Sequence, residues 1–297
     1  MTNNVIEFNH VTKEYKGFSL SDVNLSIKQG YVTGLIGTNG SGKSTLIKLI
    51  MNLLTPDKGS IEAFGLDNNQ SATQSKEIKE QIGFVYDKNI YYENLNIKEL
   101  NKILKHSYKK WDNELFYQYV EKFGLPLNKT LKSFSKGMQM KMSLAVALSH
   151  HAQLIIMDEP FAGLDAAFRR ELVNLLREVM LDAQCSIFFT THLVEELENF
   201  ADYIALIDQG EVLFNQTLEE LKGNFAIVKG SQMLLDRDIR SYFITINYTN
   251  NGFVAMTDQI EEVTQTFGSY VTIEVPTLAD ILYYLLKFRT PNLGDKP

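Results

Sequence analysis

The sequence predicts an α/β fold built on a largely parallel, buried sheet, followed by a smaller α+β segment. Three stretches carry the prediction: YVTGLIGTNGSGKSTLIKLIMNLL near the start, QLIIMDEP in the middle and SIFFTTHLVEELE beyond it. Each begins as an apolar or β-prone run, the pattern of a strand buried on both faces, and stops abruptly at glycine or polar residues. Open α/β sheets bind ligands at the carboxyl ends of their strands, so the residues that end these runs are the candidates for chemistry.

In the first stretch the strand gives way to Gly37-Thr38-Asn39-Gly40-Ser41-Gly42-Lys43-Ser44-Thr45, and apolar residues at helical spacing then run to Leu54. Glycines let a backbone wrap tightly, so that successive N–H groups and a helix N-terminus converge on phosphate oxygens. Gly37-x-x-x-x-Gly42-Lys43-Ser44 is a phosphate-loop pattern in its required strand-loop-helix setting. Lys43 is expected to reach the β- and γ-phosphates of a nucleoside triphosphate, and Ser44 to ligate Mg²⁺.

The second stretch ends in Asp158, Glu159 and Pro160. Asp158 is placed to hold the Mg²⁺ shell, and Glu159 to take a proton from an attacking water. The third ends in His192 before an amphipathic helix. A lone histidine is more often structural, but at a core strand's end it can donate to the γ-phosphate and fix the water that Glu159 deprotonates.

Bulk properties limit these readings. The chain has 297 residues, 44% hydrophobic and 22% charged, enough for one large or two moderate globular domains. A net charge of −7 counts against a general nucleic-acid binder. The single cysteine, Cys185, forms no internal disulfide and fits a reducing compartment. The start, MTNNVIEFNH, lacks a signal-peptide pattern, and no apolar run approaches the roughly 18 residues that span a bilayer. On its own the chain is expected to be soluble and cytoplasmic.

Between the first two stretches lies FSKGM, residues 134–138, before the apolar run MSLAVAL. Ser135 has an ordinary reading as a helix N-cap. Taken in order, the phosphate loop, FSKGM, the acidic strand end, FAGLD and the strand-end histidine resemble the ATPase subunit of ATP-binding cassette (ABC) transporters over about residues 4–224. FSKGM stands where that family has its signature, often LSGGQ, and differs at three of five positions while keeping the serine and the second glycine. The resemblance implies an ABC cassette with a RecA-like P-loop NTPase core, an antiparallel β subdomain and a helical subdomain at about 88–150. It also implies ATP and Mg²⁺ as ligands, and head-to-tail pairing with a second ATPase domain, homodimeric or heterodimeric. Ser135 and Gly137 would then reach the partner's nucleotide in trans. Tyr15 matches the aromatic that stacks on adenine, and Asp165 the loop through which the two domains sense each other. In IGFVYDKNIYYENL, Asp87 stands where the family often has a glutamine that touches Mg²⁺ and the attacking water; an aspartate is shorter and charged, so its reach and pH response differ. A separate polytopic membrane subunit is implied as partner, which puts the chain at the cytoplasmic face of the membrane. Ile90, Tyr91 and Tyr92 are candidates for its docking groove, with a locally buried aromatic cluster as the alternative.

Domain boundaries are expected at 1–224 for the ATPase domain and 225–297 for an accessory domain. In the latter FAIVK, YFITINY, GFVAMTD and YVTIEV read as strands, while QMLLDRDIR, QIEEVTQTF and LADILYYLLK read as helices. The first six of these elements follow the β-α-β-β-α-β order of a ferredoxin-like unit. The closing helix is expected to pack on its own sheet; it lacks the basic face of a helix lying on a membrane. Three functions compete: an export-type transporter ATPase, a soluble ABC ATPase acting on ribosomes or DNA, and an ATP-gated regulator without turnover. The single cassette, the acidic balance and the absence of sustained heptads count against the second, and Glu159 with His192 against the third. Within the family the similarity points to bacterial ABC-2-type exporters, and among them to Gram-positive exporters of phenol-soluble modulins, antimicrobial peptides or antibiotics.

Overall fold

A computed structural model describes residues 4–85, 91–183, 185–236 and 239–289. Asp87 and Ile90, two of the expected site residues, lie outside them. The chain divides into two compact units, Met1–Asn215 and Gln216–Pro297.

The first unit opens with β1 (Asn4–Tyr15) and β2 (Phe18–Lys28), then β3 (Val32–Ile36) and α1 (Lys43–Ile50). β4 (Lys58–Ala63), β5 (Leu66–Asp67), α2 (Ala72–Lys79) and β6 (Ile82–Val85) come after it. Three helices are next, α3 (Ile97–Ser107), α4 (Asn113–Lys122) and α5 (Lys136–Ser149). β7 (Leu154–Asp158), α6 (Ala166–Ala183), β8 (Ser186–Thr191), α7 (Val194–Phe200), β9 (Tyr203–Asp208) and β10 (Glu211–Thr217) complete the series, β10 running across the division.

Two sheets form. One is antiparallel, in the order β2-β1-β4-β5; the other has six strands in the order β10-β9-β3-β8-β7-β6, with the pairings β9-β3, β3-β8, β8-β7 and β7-β6 parallel. Every residue of β3 and β8, and all of β7 but Asp158, is buried, which is why these runs carry no polar alternation. One core joins the sheets, with Phe8, Leu20 and Ile27 of the antiparallel layer packed among Leu46, Leu49, Ile156 and Phe188. The non-sequential order puts the carboxyl ends of β3, β7 and β8 side by side, as ligand binding at an α/β sheet requires.

The expected helical segment is α3, α4 and α5. α3 starts in a capping box, Asn96 with Glu99, and buries Ile97, Leu100 and Leu104. Asn101 is buried among partners: it receives the Trp111 indole N–H and donates to Asn113 and to the Tyr117 hydroxyl. At the end of α5, His150 stacks on Tyr108 with ring centroids 4.2 Å apart.

The first helix of the second unit is α8 (Leu218–Gly223), so the division falls at 215/216 rather than at the expected 224/225. Thr217 and Glu220 form a capping box at the start of α8. β11 (Ala226–Gly230), β12 (Thr245–Thr249), β13 (Gly252–Thr257), α9 (Ile260–Phe267), β14 (Val271–Glu274) and α10 (Leu278–Arg289) come next. The sheet runs β12-β13-β11-β14, antiparallel at each pairing. In place of the helix expected over QMLLDRDIR there are 3₁₀ turns at Gln232–Leu234 and Ile239–Tyr242. Asp236 explains the break, because its carboxylate takes the Ile239 N–H at 2.9 Å and competes with a continuous helix. Phe243, Phe253, Val263 and Phe267 form this unit's own core. α10 buries Leu278, Ile281, Leu282 and Tyr284, and the Tyr284 hydroxyl accepts a hydrogen bond from Asn247 of β12 at 2.9 Å. Among the described residues no helix is long and apolar enough to cross a membrane.

Candidate functional site

The phosphate loop turns from β3 into α1. Gly42, the N-cap of α1, has φ +120°, and a side chain there would also meet Leu20 and Ile207, so glycine fits on two counts. Lys43 begins the helix with only 7% of its surface exposed, and its ammonium folds back to the carbonyls of Gly37 at 2.7 Å and Thr38 at 3.2 Å. The Lys43 ammonium is thus held by two carbonyls and faces one carboxylate, Glu159 at 3.6 Å, at the place where a polyanion would meet the loop.

The ends of β7 and β8 supply the acids. Their register pairs Asp158 with Thr190. The Thr190 hydroxyl donates to Asp158 Oδ1 at 2.6 Å and accepts the backbone N–H of Glu159 at 3.0 Å, so one side chain orients both acidic residues. The other oxygen of Asp158 accepts the Ser44 hydroxyl at 3.4 Å, which joins β7 to the start of α1. Glu159 itself has φ +49°, a left-handed conformation uncommon for a residue other than glycine, asparagine or aspartate. That turn points its carboxylate into the loop: Oε1 faces Lys43, and Oε2 meets His192 Nδ1 at 2.8 Å.

Behind His192 is a second layer. The Thr191 hydroxyl accepts the Leu193 N–H at 3.0 Å and donates to Glu196 Oε2 at 3.1 Å. Burial drives the Glu196 carboxyl up to about 7, against the opposing pull of Thr191 and Arg169.

The structure thus brings together Gly37, Thr38, Lys43, Ser44, Asp158, Glu159 and His192. Two residues of the loop complete the picture: Ser41 Oγ is buried without a hydrogen-bond partner, and around Gly40 the position of a side chain is open. A buried unsatisfied hydroxyl beside an open glycine turn suits a phosphate-bearing ligand. The Ser44 hydroxyl with the Asp158 carboxylate is a hard-oxygen pair of the kind Mg²⁺ takes. Asn39 is exposed at the loop's tip, and Thr45 follows Ser44 in the first turn of α1.

Tyr15 ends β1, 44% exposed, with its ring 6.4 Å from Phe18. With Phe18, Ser19, Gly40 and Gln209 it lines a cavity of about 690 Å³ that opens on the phosphate loop. No hydrogen bond among the described residues joins Ser135 or Gly137 to the loop. Ser135 caps α5 by accepting the Met138 N–H at 3.3 Å. Gly137 lies against Phe168 so closely that a Cβ would fall 2.5 Å from its ring. Between them, Lys136 donates to the Ala162 carbonyl at 2.5 Å. The Asp165 carboxylate accepts the Phe168 N–H at 2.9 Å and so caps α6. Tyr91 lines a groove of about 550 Å³ with Ile82, Phe84, Tyr108, Val146 and His150, and Tyr92 is 77% exposed.

Sequence reasoning missed Thr190, Thr191, Arg169 and Glu196. Thr190 alone left a trace, since a hydroxyl at the end of a fully buried strand needs a partner.

Comparison with known proteins bears on this geometry. A family model described as "ABC transporter" matches residues 20–162. The ABC transporter ATP-binding protein NatA of Bacillus subtilis (strain 168) is 34% identical over 217 residues, 68% of this chain and 83% of that protein. The bacitracin transport ATP-binding protein BcrA of Bacillus licheniformis is 31% identical over 224 residues, 73% of this chain and 71% of its own. A solved ATP-binding subunit of an ABC transporter superposes with a TM-score of 0.65 at 26% identity, covering 74% of this chain and 92% of that one. With a phosphate loop facing two strand-end acids and relatives of this kind, the chain belongs to the ABC transporter ATP-binding family, the ABC ATPases.

Proposed function

We propose that the chain is the ATP-binding and ATP-hydrolysing subunit of an export-type ABC transporter, with Glu159 as general base. The observation that carries the reading is the Glu159 carboxylate, held between Lys43 at 3.6 Å and His192 at 2.8 Å beside the Ser44–Asp158 pair. In this reading the loop N–H groups from Gly37 to Thr45 cradle the phosphates and Lys43 binds the β- and γ-phosphates. Tyr15 stacks on the base at the cavity it lines. Ser44 and Asp158, with Asp87, hold Mg²⁺, which when bound neutralises phosphate charge. Glu159 accepts the proton of the attacking water, and His192, which needs an N–H on each ring nitrogen to do both, donates from Nδ1 to Glu159 and from Nε2 to the γ-phosphate. The pairing of His192 with Glu159 supports that division of labour.

Ser135 and Gly137 serve a second ATPase domain in trans. The position of both at a helix start, whose N–H groups suit a γ-phosphate, supports this. Asp165 lies on the loop through which the two domains sense each other. ATP closes the pair, hydrolysis opens it, and a separate polytopic membrane subunit docked near Tyr91 and Tyr92 takes up the motion. The chain would then sit at the cytoplasmic face of the membrane. The relative named for bacitracin transport supports a peptide, antibiotic or other amphipathic cargo.

Glu159→Gln tests the reading. It is expected to bind ATP like the parent while turnover falls by at least about a hundredfold, within the range that a general base contributes. Turnover at the parental rate would remove Glu159 from its role.

A further inference from the structure

We propose that Arg169 and Glu196 form a positioning bridge that ties the His192 loop to the Asp165 loop, so that the γ-phosphate contact and the domain-domain contact move together. The proposal rests on the hydrolytic reading of the site given above. The bridge is three side chains long. Thr191, next to His192, donates its hydroxyl to Glu196 Oε2 at 3.1 Å. Glu196 Oε1 faces the Arg169 guanidinium at 3.7 Å. Arg169 Nε donates to the carbonyl of Leu164 at 3.0 Å, and the Arg169 N–H donates to the carbonyl of Asp165 at 3.0 Å.

Burial argues that Glu196 is placed for this contact. An acid in the first turn of a helix suits the helix dipole at the surface and needs no burial to do so. Glu196 is 6% exposed, and its Oε1 has no hydrogen bond. Removing a carboxylate from water is unfavourable unless a cation and hydrogen bonds replace the water. Arg169 is the cation at hand, and the remaining gap leaves the pair able to tighten when the Asp165 loop shifts. α7 does not depend on Glu196 for its cap, since the Leu193 N–H is already taken by Thr191. One residue before Arg169 in α6, Phe168 packs against Gly137. Consecutive residues of one turn therefore contact the signature helix and the bridge to His192.

The test is steady-state hydrolysis by the full chain at pH 8, with Glu196→Gln, Arg169→Met, the double variant, and each single change in a His192→Ala background. Gln keeps an acceptor for Thr191 but loses the charge that faces Arg169. Each single change is expected to lower kcat about tenfold, with KM for ATP within about threefold, since small misplacements of catalytic groups act on turnover. The double variant is expected to match either single, and neither change should lower the residual rate left by His192→Ala. Losses that multiply, equal losses with and without His192, or parental kcat in both singles would overturn the bridge. If Glu196→Gln does not fold, Arg169→Met and Arg169→Lys carry the same comparison, with partial recovery expected for Lys. Failure of the hydrolytic reading is distinct: there Glu159→Gln itself turns over normally.

Discussion

Glu159 is the residue on which the site turns, and its geometry is made by neighbours rather than by itself. A left-handed φ of +49° persists only where surroundings hold it, and here Thr190 holds the backbone N–H while His192 and Lys43 hold the carboxylate. Glu196, in the layer behind, has a separate consequence for stability. Its carboxyl is raised from 4.5 to about 7 by burial, with the Glu159 charge pushing the same way and Thr191, Arg169 and His192 opposing. A carboxyl that binds its proton more tightly when folded adds stability below its unfolded value and loses it as pH rises through the folded one. Stability from this group is therefore full below about pH 4.5 and is lost as pH rises through about 7. Glu196→Gln removes the dependence. Thermal melts are expected to show the melting temperature of the variant, relative to the parent, higher at pH 8 than at pH 5; an equal difference at both values would assign the pH response elsewhere.

At the scale of elements, the phosphate loop was legible because its chemistry is written in consecutive residues on a strand-loop-helix. The acids of β7 were legible because they end an apolar run. The supporting contacts behind those acids were harder to read. Thr190 meets Asp158 across 32 residues of sequence and Arg169 meets Glu196 from a different helix, and only the strand order and helix packing bring them together. Local chemistry also defeated the helix expected over QMLLDRDIR, where the Asp236 carboxylate takes a backbone N–H that a helix would use. In the proposed reading the groove beside Tyr91 is where the membrane subunit would dock. It lies between α2, β6 and α5, with apolar Ile82, Phe84 and Val146 beside the cations Lys76 and Lys79. Replacing Tyr91 and Tyr92 together by alanine is expected to weaken capture of the membrane subunit at least about tenfold, as loss of aromatic anchors does, with ATP binding by the chain unchanged. Loss of ATP binding in that variant would show that the pair supports the fold or the nucleotide site instead.

For the whole molecule, the proposed pairing treats each chain as supplying half-sites. The phosphate loop, the strand-end acids and His192 meet in one place, while Ser135 and Gly137 sit at the start of α5 with no hydrogen bond to that place among the described residues. Lys136 and Phe168 attach the start of α5 to the Asp165 segment. Two copies facing head to tail would complete both sites at once. The measurement that tests this most directly is the solution mass of Glu159→Gln with and without Mg²⁺ and ATP, alongside Ser135→Arg in the same background. The expected result is an ATP-dependent species of about twice the 33.9 kDa chain, absent without ATP and absent with Ser135→Arg although ATP still binds. A chain that binds ATP and stays at its single mass would contradict the account.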